Sequence, residues 1–163
     1  WGRGNVGKWR KWERAKVGRL ESGSGVFIEF KKQVMKNYLI IGVILMLTGV
    51  LLGAFGAHSL KEVISEEKLI SFETGVRYQM IHGIAFLVLV GLNKALEGFQ
   101  VKNSTLFLMT LGVLLFSGSI YLLALQEVFG VGLTFLWPIT PLGGLMIIVS
   151  WGLVLYSVIR WKE

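Results

Sequence analysis

The run from Tyr38 to Ala57 carries no charge over 20 consecutive residues, and no other feature limits the fold as strongly. At a rise of about 1.5 Å per residue, a helix of that length matches the roughly 30 Å hydrocarbon core of a bilayer. Within it Gly42, Gly49, Gly53 and Gly56 follow at steps of seven, four and three, which puts them on one helix face. Lipid tails are as apolar as leucine, so helices in a membrane associate by close packing, and a glycine stripe admits a second backbone. Gly49, Gly53 and Gly56 are therefore predicted packing positions, with Gly53 the tightest. Gly112 and Gly118 are expected to do the same on a later helix.

Composition supports the membrane reading. Of 163 residues 53% are hydrophobic and 17% charged, with mean hydropathy +0.63, against about a quarter charged in a soluble domain. The absence of cysteine excludes disulfides, zinc–cysteine sites, iron–sulfur clusters and thiol catalysis. The net charge of +7 is concentrated at the start. Residues 1–34 hold nine Lys/Arg and three Glu, whereas residues 35–163 hold eight Lys/Arg and seven Glu. Lys8-Trp9-Arg10-Lys11-Trp12 could touch phosphates or anionic headgroups, but a solvated, largely disordered tail is the favoured reading, and no nucleic-acid partner is expected. Ser22-Gly23-Ser24-Gly25 is linker-like, and Met35-Lys36-Asn37 resembles the start of a membrane protein. Residues 1–34 are accordingly expected to be a basic leader, disordered or non-native, and residues 35–163 the membrane domain. A cleaved signal peptide over Lys31–Ala57 is disfavoured, because the apolar run exceeds the usual 7–15 residues and further spans follow.

Beyond His58 the chain turns polar. Leu60, Val63, Ile64, Leu69, Ile70, Phe72 and Val76 alternate there with Lys61, Glu62, Glu66, Glu67, Lys68, Glu73 and Arg77. This predicts an interfacial helical segment, with Ser65 as an N-cap ahead of two acids and a Glu73–Arg77 pair four residues apart. A second span follows over residues 78–96, flanked by Arg77 and Lys94, which can snorkel. Between Ser104 and Ile159 the one acid or base is Glu127. That length requires two crossings, over residues 104–125 and 141–159, broken by Gly130, Gly132, Pro138 and Pro141. The predicted fold is thus all-α, an integral membrane four-helix bundle. Four spans place both termini on one side, and five of the body's basic residues against three favour cytoplasmic termini.

Several stretches resemble a known family. They are Leu52-Gly53-Ala54-Phe55-Gly56-Ala57-His58, Thr74-Gly75-Val76-Arg77-Tyr78-Gln79-Met80-Ile81-His82, Leu115-Phe116-Ser117-Gly118-Ser119-Ile120-Tyr121, and Thr140-Pro141-Leu142-Gly143-Gly144 with Trp151-Gly152. In this order they resemble the YgdD/YwdK-type family of small bacterial inner-membrane proteins, a domain of unknown function. The resemblance runs from Met35 to the C-terminus. It implies a multi-pass protein of the bacterial cytoplasmic membrane and carries over no catalytic residue.

The polar residues inside the spans are the candidates for function, since ionisable groups in lipid are costly. His58 ends the first span, and His82 lies one turn after Tyr78 on the same face. A haem or metal held by the two histidines is one reading, but without a further Asp, Cys or His the ligand set is thin. No metal or cofactor is therefore expected. Ser117 and Ser119 lack the Gly-x-Ser-x-Gly context of a nucleophile, so helix contact explains them, and residues 138–144 lack phosphate-loop spacing. His58, Tyr78, His82, Ser117, Ser119 and Tyr121 form the candidate polar cluster. Threading places it in one leaflet, with His82 roughly 6 Å below the surface of the first and third connections.

The expected activity is that of a non-enzymatic membrane module whose partners are the lipid bilayer and a second copy or another membrane protein. The alternatives are a small oligomeric carrier or channel, and a membrane redox or lipid-modifying enzyme using His58, Tyr78 and His82.

Overall fold

The computed structural model describes residues 3–162, with side chains from residue 25 onward. Four α-helices run Arg3–His58 (α1), Glu66–Ala95 (α2), Asn103–Leu125 (α3) and Ile139–Arg160 (α4). Single 3-10 turns stand at Leu60–Glu62 and Thr134–Leu136. All four stretches are long and apolar enough to cross a membrane, and among the described residues there is no strand.

Two units are distinguished, Trp1–Asn37 and Tyr38–Glu163. In the first, the backbone is helical from Arg3, where the sequence predicts a disordered leader. The linker-like Ser22–Gly25 does not interrupt it. Glycine costs a helix only about 1 kcal/mol each, and the Lys, Arg and Glu around it are good helix formers. Its side chains from Val26 to Phe30 are exposed, apart from short-range contacts such as the Lys32–Glu29 pair at 3.7 Å. That is the one ion pair among the described residues, so the expected Glu73–Arg77 pair is not closed. Both side chains are exposed, where such a pair gains little over hydration.

The second unit contains the bundle. Ser65 caps α2 as predicted, its Oγ accepting from the Lys68 backbone N–H at 3.4 Å. The helix then continues without a break through the charged turns into the apolar block. The interfacial segment between the first two spans thus consists of the 3-10 turn and the first turns of α2. Leu60, from that turn, is buried against Phe72, Val76 and Ala124 and closes the end of the bundle. At the same end the Lys68 ammonium donates to the Leu123 carbonyl at 3.4 Å, satisfying an acceptor in the last turn of α3.

Glycines set the helix spacing, though not all of those expected. A Cβ on Gly42 would lie 3.0 Å from the Gly83 carbonyl oxygen, and one on Gly83 would lie 3.1 Å from that of Gly42, so α1 and α2 touch backbone to backbone there. Gly49 faces Met80, at 2.5 Å from a Cβ to its Cγ, and Gly56 faces the Phe72 ring at 3.3 Å. Gly53 is looser, with Val76 at an ordinary 3.5 Å, because two γ-carbons of a branched residue already hold the helices apart. Gly118 has open space beside it and is no packing position. Helices α3 and α4 meet instead at Gly112 and Gly143: a Cβ on Gly143 would collide with the Phe116 backbone nitrogen and lie 2.9 Å from the Gly112 oxygen. The many exposed leucines, isoleucines and valines on the outer faces of these helices are what a lipid-facing surface requires.

Candidate functional site

The contacts between α1 and α2 fix the depth of everything polar. Gly49 packs on Met80 and Gly42 on Gly83, so residues 79–83 of α2 lie level with residues 42–49 of α1. Thr48 is ten residues from both Tyr38 and His58, about 15 Å from either end of the span. Gln79 and its neighbours on α2 therefore stand level with the middle of the uncharged run of α1 and two residues after the exposed Arg77.

Gln79, 5% exposed, is the hub. Its Nε2 donates to the Leu45 carbonyl at 2.9 Å and to Thr48 Oγ1 at 2.8 Å, both on α1. Its Oε1 accepts from the Tyr121 hydroxyl on α3 at 2.9 Å, and Thr48 passes its own proton to the Ile44 carbonyl at 2.7 Å. One amide thus joins three helices with both N–H groups and the oxygen in use. Above it the Ser117 hydroxyl donates to the Gly75 carbonyl at 2.9 Å, where Gly75 also leaves room for the Tyr121 ring.

A second group ties in α4. His82 is 3% exposed, with Nδ1 2.7 Å from the Tyr78 carbonyl and Nε2 3.2 Å from the Trp151 indole nitrogen. A carbonyl only accepts and an indole N–H only donates. The two bonds together require a neutral imidazole with its proton on Nδ1. Tyr78 stacks on His82 with ring centroids 6.1 Å apart and leans on Phe116 at 4.7 Å. Nearer the third connection, Ser119 Oγ lies 2.7 Å from Thr140 Oγ1, joining α3 to α4.

Of the six candidate residues, the structure gathers Tyr78, His82, Ser117 and Tyr121 into these groups and puts Ser119 on the α3–α4 seam. His58 is left out. It is exposed at the end of α1, two residues beyond Gly56, which packs on Phe72. That register leaves it at least about 9 Å from His82 along the axis, so the pair does not form a two-histidine site. Among the described residues no group of three His, Asp or Glu side chains converges as metal ligands.

Sequence reasoning missed Gln79, Thr48, Thr140 and Trp151. For the first two the signal was present: Thr48 is the one hydroxyl-bearing residue between Leu39 and Ala57, and Gln79 stands in an uncharged run three residues from His82. Every buried side-chain nitrogen and oxygen among the described residues has a partner within the chain.

The model of a protein family of unknown function, DUF423, matches residues 52–144. The chain belongs to the DUF423 family. It is 37% identical over 127 residues to the UPF0382 membrane protein YwdK of Bacillus subtilis, covering 78% of this chain and 99% of that protein. It is 36% identical over 127 residues to the UPF0382 membrane protein SH2409 of Staphylococcus haemolyticus, covering 78% and 98%. It is 37% identical over 115 residues to the UPF0382 inner membrane protein YgdD of Escherichia coli, covering 70% and 82%. No solved structure matches the chain. As a DUF423 protein it is a multi-pass membrane protein. The stretch matched to DUF423 contains Gln79, His82, Ser117, Ser119, Tyr121 and Thr140, whereas Thr48 and Trp151 lie on either side of it.

Proposed function

We propose that this DUF423 protein is a non-enzymatic membrane module that acts through contacts of its surface with lipid or with other membrane proteins. The observation that carries this reading is the direction of the interhelical hydrogen bonds. Gln79 links α2 to α1 and α3, Ser117 links α3 to α2, His82 links α2 to α4, and Ser119 links α3 to α4. Each bond joins two helices, and in lipid such bonds are an accepted means of holding helices together. A carrier or channel would need these groups turned toward a path, and an enzyme would need a nucleophile or base with a free lone pair or proton. His82 has neither, since both ring nitrogens are engaged.

The membrane is proposed to be the cytoplasmic one, with both termini on the cytoplasmic side, on the bias of basic residues. The chain has no cysteine, so single cysteines at Ser59 and at Gln100 can be labelled with an impermeant maleimide in intact cells. Labelling at Ser59 alone is expected, and labelling at Gln100 alone would reverse the orientation. The functional reading is tested by metal analysis and an absorbance spectrum of protein purified in mild detergent. A stoichiometric metal or chromophore that is lost in His82→Ala would overturn it.

A further inference from the structure

A cavity of about 360 Å³ opens at the end of the bundle opposite the Leu60 plug, between the second connection, the start of α3 and the last turns of α4. It is separate from the interhelical hydrogen-bond network and does not depend on how that network is read. Two cations line it, Lys102 at the start of α3 and Arg160 at the end of α4, and among the described residues neither forms an ion pair. Arg160 is already oriented. Its Nε donates to the Tyr156 hydroxyl at 3.1 Å and its guanidinium lies 5.6 Å from the centroid of that ring. This uses one of its five N–H groups and leaves four for a ligand. Gln100, Thr105 and Ser157 add neutral polar groups to the wall.

The walls are fixed from outside. The Asn93 side chain brackets Val101, donating to its carbonyl at 3.2 Å and accepting from its N–H at 2.7 Å. Trp161 donates from its indole to the Glu97 carbonyl at 2.9 Å and packs edge-on against Phe99. Gly98 makes the turn between them in the left-handed region, φ +75°. The volume falls in the range of small-molecule sites and is larger than one or two ordered waters need. The α3 helix begins there with no side chain capping its first amides, which favours an anion further.

We infer that this cavity binds a phosphate group, with Arg160 and Lys102 as its ligands. The phosphate belongs either to an anionic phospholipid or to a small soluble phosphate. The site lies where spans α3 and α4 leave the hydrocarbon, beside an interfacial tryptophan, at the height of lipid headgroups. Leu153 in its wall and the exposed Val149 one turn deeper lie on the same face of α4, a surface that acyl chains can follow. Basic pockets between membrane helices bind lipid headgroups by this combination.

The test is native mass spectrometry of the full chain in mild detergent, titrated with dioleoylphosphatidylglycerol, dioleoylphosphatidylcholine or inorganic phosphate. Three proteins are compared: the wild type, Lys102→Gln with Arg160→Gln, and Lys61→Gln with Arg77→Gln. The last removes the same charge away from the cavity, from the first connection and α2. All four side chains are exposed, and gel filtration verifies that each variant stays folded. The wild type is expected to prefer the glycerol lipid at least tenfold over the choline lipid. That preference should be lost in the first variant and kept in the second. Binding of inorganic phosphate that depends on the same two residues would support the site and assign it to a soluble phosphate. Equal binding of both lipids by the wild type without phosphate binding, or a preference that survives Lys102→Gln with Arg160→Gln, would overturn the inference.

Discussion

Gln79→Leu is the substitution that most directly tests the role of the interhelical hydrogen-bond network. Leucine keeps nearly the same volume, so the change removes hydrogen bonds without opening a large cavity. Gln79 gives up three bonds, to the Leu45 carbonyl, Thr48 and Tyr121. Interhelical hydrogen bonds in membrane proteins average about 0.6 kcal/mol, so the three together are worth about 2 kcal/mol. The partners do not suffer equally. Thr48 keeps its bond to the Ile44 carbonyl, but the half-buried Tyr121 hydroxyl loses its acceptor, which adds about 1 kcal/mol or more. The expected cost is about 3 kcal/mol, whereas Tyr121→Phe alone should cost under about 1 kcal/mol. In the double variant the orphaned hydroxyl is gone, so the two costs should fall short of their sum by about 1 kcal/mol. Reversible unfolding in mixed dodecyl sulfate micelles measures all four proteins. A neutral or stabilising Gln79→Leu, or strict additivity with Tyr121→Phe, would refute the assignment of Gln79 as the tie between three helices.

Three further outcomes follow from particular contacts. Gly143→Ala should destabilise by about 1–3 kcal/mol through overpacking against the α3 backbone, whereas Gly53→Ala and Gly118→Ala should each change stability by less than about 0.5 kcal/mol, measured in the same unfolding assay. Nitrogen NMR of labelled histidine should find His82 neutral, protonated at Nδ1 and bare at Nε2. Trp151→Phe should perturb the Nε2 resonance while leaving that of His58 unchanged. Ser65→Ala should cost about 1 kcal/mol by removing the cap of α2, read as earlier thermal loss of helicity.

The spans were legible because length and the absence of charge suffice to mark them. Residues 104–125 and 141–159 were expected to be helical, and α3 and α4 run Asn103–Leu125 and Ile139–Arg160. The second helix was legible in type but not in extent. Ser65 announced its start, yet the charged turns that follow obscured that one rod runs from the cap to Ala95. Glycine spacing told which face of α1 packs, but not which glycine packs hardest, because that depends on the facing residue. Gly42 meets another glycine, and Gly53 meets the branched Val76. No pattern within one helix contains that information.

The same dependence on the neighbouring helix explains why histidines and serines drew attention while Gln79 did not. Ionisable and nucleophilic groups are conspicuous in an apolar run because they are expensive there, and cost is read as function. An amide costs less and has no reaction to perform, but it offers two donors and an acceptor from one position. In a bundle whose helices cannot rely on the hydrophobic effect to find one another, that makes it the most economical link among three backbones. Tyr121 and Thr48 then have polar side chains because Gln79 needs a donor and an acceptor, respectively, facing it. His82 and Trp151 repeat the arrangement toward α4, each nitrogen matched to the role the other group cannot fill. Loss of the Trp151 donor would free the His82 lone pair inside the bundle. Gain of a metal or chromophore by Trp151→Phe, absent from the wild type, would show that closure of this pair is what keeps the histidine out of chemistry.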